Sequence, residues 1–148
     1  MGARPKWLSC GMIIEEGFEI AQLEKIVSSM AETAAQNNVK IVTGDTKVVN
    51  SDACDGIYIN TTGIGVLPQA VKMGAEYIEP GDKILINGNI AEHAAAIMMA
   101  REKFNINIAV ESDCDCVYPL VKNLMENIDG IKIMREPTRG GLANTLNE

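Results

Sequence analysis

The spacing of apolar residues changes period several times along the chain, and each change predicts an element. Residues 8–14 are apolar with small residues mixed in, the pattern of a buried strand, and Glu15-Glu16-Gly17 closes the run. From Glu19 the period becomes helical: Ile20, Leu23, Ile26, Val27, Met30, Ala31 and Ala34 share one face until Asn37-Asn38 ends the pattern. Residues 39–43 form a short strand that delivers Gly44 and the polar triplet Asp45-Thr46-Lys47. Residues 57–62 alternate, with Ile57, Ile59 and Thr61 on one side, and Ile64-Gly65-Val66 extends them. The first half therefore reads as strands with one crossing helix.

Leu67-Pro68 begins a different region. Glu79-Pro80-Gly81-Asp82 is turn chemistry, because Pro80 presets the bend and Gly81 completes it. Residues 83–87 read as an apolar strand and residues 90–103 as an alanine-rich helix. A second helix starts near Pro119, with Leu120, Val121, Leu124, Met125 and Ile128 inward, and residues 131–134 read as another strand. Gly141 to Glu148 resembles the first turns of a helix. Strands alternating with helices predict an α/β segment, with the domain boundary near residues 68–80. Neither half has the strands to close its own sheet, so the chain reads as a fragment.

Composition narrows the function. Hydrophobic residues make up 47% and charged residues 22%, ordinary for a globular protein, so a core is available. Aromatics are only 4%, which makes that core aliphatic. The net charge of −7, with no basic run, argues against nucleic acid and against an anionic membrane surface. No apolar run is long enough for a membrane span and no signal-peptide pattern opens the chain, so a cytoplasmic location is expected. The four cysteines are then expected as thiols. Cys114-x-Cys116 is too closely spaced for a zinc knuckle. With one histidine, a His-based triad or metal cluster is disfavoured.

Three strand-to-loop corners could carry chemistry. At Gly44-Asp45-Thr46-Lys47 the glycine could let the backbone approach a ligand, Asp45 could hold Mg²⁺, Thr46 could add a hydroxyl and Lys47 a cation for a developing anion. A hairpin turn with a solvated lysine explains the same residues. Arg139-Gly140-Gly141 lies between a strand and a helix start, where free N–H groups and the dipole hold anions. A plain N-cap by Thr138 with a glycine loop competes with that reading. Around His93 the ordinary reading is a surface or capping histidine. Asp113 and Asp115 read as helix N-terminal charges.

IVTGDTKVV and REPTRGGLANTLNE, with NTTGIGV, SDC and the opening MGARPKWLSCGMIIEEGF, closely resemble the HypE family of hydrogenase-maturation proteins. That family lies within the aminoimidazole ribonucleotide synthetase (PurM-like) superfamily. The resemblance covers the whole chain. It implies a PurM-like α+β / α/β fold. Residues 1–72 would be the C-terminal part of the β-rich, ATP-binding, dimerising N-terminal domain, and residues 73–148 the start of the C-terminal α/β domain. It implies a homodimer that uses ATP and Mg²⁺ to dehydrate a carboxamide on the thiol of its own C-terminal cysteine. The resulting thiocyanate supplies the cyanide ligand of [NiFe]-hydrogenase iron. The implied partners are the carbamoyltransferase HypF and the HypC–HypD scaffold.

Position by position, Asp45 matches the Mg–ATP aspartate, with Gly44 and Thr46 lining the same turn. Lys47 matches a lysine near the transferring phosphate or the thiocarboxamide. Arg139, Gly140 and Gly141 match the phosphate-side helix start, and Glu148 the glutamate that follows it. Some positions depart. Ala91 and Ala94, around His93, stand where the family usually has Gly, and Glu136 where Asp is usual. The family's first aspartates would precede Met1 and its terminal cysteine would follow Glu148, so the acceptor thiol is not among the four cysteines and the isolated chain is expected to be inactive. A non-catalytic dimerisation or complex-binding module, or a sibling ATP-dependent enzyme, are the competing readings.

Overall fold

The computed structural model describes residues 2–68, 72–101 and 110–148. They fall into two compact units, Ala3–Ala70 and Val71–Glu148, the second including Met1–Gly2.

In the first unit the strand β1 (Arg4–Glu15) is followed by the helix α1 (Ile20–Gln36), then β2 (Lys40–Val49) and β3 (Ile57–Val66). β1 is central in the three-stranded order β2-β1-β3, parallel to β2 and antiparallel to β3. A parallel neighbour needs a long crossover, which α1 supplies, whereas β3 returns antiparallel after the loop that follows β2. α1 stops where the sequence predicts. The Asn37 side-chain amide donates to the Thr33 carbonyl (2.8 Å), Asn38 adopts a left-handed φ of 54°, and Val39 N–H donates to the Ala34 carbonyl (2.9 Å).

The sheet has one apolar and one polar face. Successive residues of a strand point to opposite faces, and directly paired residues share a face. The rows Gly44–Cys10–Thr61, Thr46–Met12–Ile59 and Val48–Ile14–Ile57 make one face, which holds the buried Cys10 and Ile14. Ala34 of α1 is the third buried apolar residue. The rows Thr43–Ser9–Thr62, Asp45–Gly11–Asn60 and Lys47–Ile13–Tyr58 make the other. This alternation holds because an extra residue, Val42, is accommodated where the β1–β2 register shifts between Leu8 and Ser9.

Loop 50–56 is tied to the end of β1 by one carboxylate. Glu15 accepts from Asp52 N–H through Oε1 (2.5 Å) and from Gly56 N–H through Oε2 (2.9 Å). Cys54 lies within this loop, and burial, with the nearby Glu15 and Asp55 charges, raises its thiol pKa above the usual value.

The second unit contains α2 (Glu92–Ala100), α3 (Tyr118–Asn127) and α4 (Gly141–Asn147), after a short 3₁₀ turn at Ala75–Tyr77. Two expected strands, 83–87 and 131–134, are absent from the described ladders. Ile84 and Leu85 are 65% and 80% exposed, because an apolar run is a strand only when a partner supplies its hydrogen bonds. Segment 131–134 is held otherwise. The Lys132 carbonyl accepts from Gly74 N–H (2.9 Å), and its ammonium bridges Glu79 (2.9 Å) and Asp82 (2.8 Å). Those two carboxylates belong to the expected Pro80-Gly81 turn, where Gly81 has φ 102°. The helix expected over 90–103 spans Glu92–Ala100; its expected last residues lie outside the described ones.

Candidate functional site

The largest difference from the sequence expectation is at Gly44-Asp45-Thr46-Lys47. These residues form neither a corner nor a hairpin turn; they lie in the middle of β2, paired with Cys10, Gly11, Met12 and Ile13. The ladder offered by β1 carries the strand through a sequence that by itself favours a turn. Asp45 and Lys47 therefore stand on the polar face, and Gly44 and Thr46 on the opposite one.

Gly44 has a structural role. A Cβ there would come within 2.2 Å of the Cys10 carbonyl oxygen and 3.2 Å of its carbon, so only glycine lets β2 lie this close to β1. Gly11 differs: a Cβ would meet only the Asn60 carbonyl, at 3.9 Å. It leaves a shallow gap in the polar face between Asp45 and Asn60.

Asp45 is exposed, and one carboxylate oxygen, Oδ1, accepts from Thr46 N–H (2.9 Å). The other oxygen has no partner among the described residues, and neither has the exposed Lys47 ammonium. The candidate site is thus an open polar face carrying one carboxylate, one ammonium, the Asn60 amide, and the Thr43, Ser9 and Thr62 hydroxyls. Tyr58 completes the row, its hydroxyl accepting from Asp55 N–H (3.3 Å). Asn60, Gly11 and Tyr58 escaped sequence reasoning. The signal that could have found them is the period-two alternation of Thr43, Asp45 and Lys47. An open groove of about 580 Å³ between α1 and the start of β2 is lined by Ala31, Ala35, Val39, Lys40 and Ile41 among others and includes none of Asp45, Lys47 and Asn60.

Arg139, Gly140 and Gly141 lie in the second unit. All three have positive φ (41°, 94° and 66°), so the backbone enters α4 through consecutive left-handed residues. Thr138 does not cap the helix: Gly140 holds the N-cap position and no side chain bonds there. The Arg139 guanidinium makes no ion pair or hydrogen bond with described residues. Glu148 is engaged, forming an ion pair with Arg135 and accepting from the Asn144 amide (2.9 Å). The Glu136 side chain makes no bond with described residues, and its carbonyl accepts from Thr138 N–H (3.0 Å).

His93 is not an isolated surface histidine. Its Nδ1 lies 2.9 Å from Ser112 Oγ and 3.7 Å from Cys114 Sγ, while Ser112 Oγ donates to that sulfur (3.1 Å). Nothing local in the sequence indicates this meeting. Cys114 is exposed.

The fold is PurM-like, and residues 1–67 match the family described as AIR synthase related protein, N-terminal domain. More particularly, the chain is similar over almost its whole length to HypE. It is 46% identical to the carbamoyl dehydratase HypE of Rhodobacter capsulatus over 147 residues, 99% of this chain and 43% of that protein. A solved HypE in complex with ATP superposes with TM-score 0.90 at 45% identity, covering 99% of this chain and 44% of that one. HypE in a HypE–HypF complex superposes with TM-score 0.91 at 46% identity, covering 98% and 48%. The chain thus spans less than half the length of these relatives. No helix among the described residues is long and apolar enough to cross a membrane.

Proposed function

We propose that this chain carries the nucleotide-binding part of a HypE-like, ATP-dependent carbamoyl dehydratase that acts in hydrogenase maturation. The observation that carries the reading is its 45% identity and TM-score of 0.90 to a HypE bound to ATP. Residues 1–72 are assigned to the N-terminal ATP-binding domain and residues 73–148 to the start of the C-terminal domain. The working protein is a homodimer in the cytoplasm, with HypF and the HypC–HypD scaffold as partners. The cysteine that carries the carboxamide, as in the family, is not assigned to this chain.

The exposed face around Asp45 fits Mg²⁺ held with a nucleotide. Magnesium is usually bound by one or two carboxylates plus substrate phosphates and water, and Asp45 offers one carboxylate with a free oxygen. Among the described residues no three His, Cys, Asp or Glu side chains converge. Bound Mg–ATP would supply the phosphoryl group that turns a carboxamide oxygen into a leaving group.

The chain's own residues orient and neutralise. Asp45 would hold the ion. Lys47, two residues along the same face, places an ammonium toward developing phosphate charge. Gly44 and Thr46 keep that stretch of β2 in place from the opposite face, Gly44 through its approach to Cys10 and Thr46 by fixing Oδ1 of Asp45 through its N–H. Arg139, Gly140 and Gly141 are assigned phosphate contacts through the guanidinium and the N–H groups of their left-handed turn. Glu148 is assigned the proton-accepting role, which requires it to leave Arg135.

Calorimetric titration with ATP, with and without Mg²⁺, tests the reading on the wild type and on Asp45→Asn. Binding that needs Mg²⁺ and weakens about tenfold or more in the variant is expected, from loss of a charge-assisted contact. Equal Mg–ATP affinity in wild type and variant would remove Asp45 from the site.

A further inference from the structure

Two segments far apart in the sequence bring a thiol, a hydroxyl and an imidazole together in the second unit. His93 lies in the first turn of α2, and Ser112 and Cys114 precede α3. Ser112 Oγ accepts from Cys114 N–H (3.3 Å), which folds the hydroxyl back toward its neighbour's sulfur. From there it donates to Sγ (3.1 Å) and sits 2.9 Å from His93 Nδ1. Read from the ring outward, the order is imidazole, hydroxyl, sulfur, and the hydroxyl hydrogen can rotate between the sulfur and the ring.

The neighbouring acids are otherwise disposed. The Asp115 carboxylate accepts from Cys116 N–H (2.6 Å), and Asp113 makes no side-chain bond with described residues. Of the four cysteines, Cys10 is buried in the sheet, Cys54 donates to the Gly56 carbonyl (3.6 Å), and Cys116 is half-buried with no imidazole beside it. Cys114 alone is exposed and paired with a base.

We propose that Cys114 is a nucleophilic thiol, with His93 as its base and Ser112 as the positioning hydroxyl, and that it accepts an acyl-type group from an activated carbonyl donor. The reaction is an ordinary acyl transfer. Sγ adds to the carbonyl carbon as its proton passes to Ser112 Oγ, whose own hydrogen turns from the sulfur to Nδ1 of the His93 tautomer that is protonated on Nε2. The new S–C bond forms, the carbon–oxygen bond to the leaving group breaks, and the leaving alcohol departs with the electron pair and that proton. No oxidant, metal or nucleotide takes part. The site is independent of the nucleotide reading, because none of His93, Ser112 and Cys114 has a role in it.

The test uses the 148-residue chain with p-nitrophenyl acetate as the acyl probe and iodoacetamide as the alkyl probe, followed by peptide mass mapping of all four cysteines. Cys114 is expected to gain acetyl and carbamidomethyl groups on the order of a hundredfold faster than Cys116, the lower end of what a positioned base contributes. His93→Gln should remove that advantage while leaving the Cys116 rate unchanged, and Ser112→Ala should reduce it in part. Equal labelling of Cys114 and Cys116 in the wild type would overturn the proposal. So would a Cys114 rate that His93→Gln leaves untouched, or one that falls only in step with Cys116.

Discussion

Replacing Gly44 by alanine separates two meanings of a glycine beside a candidate ligand site. If the residue serves a ligand, Gly44→Ala should fold normally and bind poorly. The structure predicts the reverse order of damage. The new Cβ would stand 2.2 Å from the Cys10 carbonyl oxygen, a rigid backbone atom that cannot rotate away. Ordinary contact between such atoms needs about 3.4 Å or more, so β2 would have to move off β1 locally by roughly 1 Å. At a normal strand spacing of about 4.8 Å that movement stretches the adjoining N–H···O bonds past their useful range. Two forfeited ladder bonds at about 1 kcal/mol each, with the strain of overpacking, total about 2–4 kcal/mol. For a unit of this size that corresponds to a fall in melting temperature of roughly 10–25 °C. Gly11→Ala is the matched control: its Cβ meets only the Asn60 carbonyl, at 3.9 Å, so it should keep the wild-type melting point to within a few degrees (about 1 kcal/mol or less). Because the methyl would fill the gap between Asp45 and Asn60, Gly11→Ala should instead weaken Mg–ATP binding. Scanning calorimetry and ATP titration on both variants decide the matter. A Gly44→Ala protein that melts within about 3 °C of wild type would refute the close-approach argument.

Other outcomes follow from single features. Ala91 holds a left-handed conformation (φ 68°), which costs a residue with a Cβ about 1–2 kcal/mol. After the entropy glycine loses on folding, Ala91→Gly should stabilise the second unit slightly, and a lower melting temperature would contradict this. Asp82 has its pKa lowered, first by the Lys132 hydrogen bond and then by Glu79 N–H, so its contribution is present above the usual carboxylate pKa and fades as pH falls through its lower folded value. Asp82→Asn should therefore flatten the acid limb of the melting profile below about pH 4, and an unchanged limb would show that the pair has no stabilising role. β2 and β3 are both sheet edges, carrying exposed Val42, Val48 and Ile64, so the chain should sediment as a dimer or larger; a monomer at high concentration would contradict that expectation.

The local order of the first unit was legible because each element carries its own period. The strand of β1, the amphipathic helix closed by Asn37-Asn38 and the alternation of β3 all lie where the pattern puts them. The polar triplet was misread because Gly-Asp is turn chemistry by itself, and the partner that keeps it extended, β1, lies some thirty residues earlier. In the second unit the apolar runs at 83–87 and 131–134 were read as strands on composition, yet strand pairing is a property of two segments. The His93–Ser112–Cys114 meeting was illegible for the same reason: three polar residues of unremarkable spacing approach only because the chain between them turns back. Glu148 was recognisable as an acid after a glycine turn, but not as the partner of Arg135.

The position of β1 has a consequence for how the chain is made. It precedes both of its partner strands in the chain, and both ladders of the sheet hang on it. When it leaves the ribosome it has neither neighbour, and Cys10 and Ile14 are bare. β2 can add only after the intervening helix has been completed, and the pairing of Arg4 with Val66 waits until nearly the whole unit has emerged. Long-range closure of this kind is slow and leaves edges open meanwhile. The nascent chain is thus a natural client for chaperones that hold extended apolar segments. Ribosome profiling with chaperone pull-down should find it engaged between the appearance of β1 and that of β3, then released.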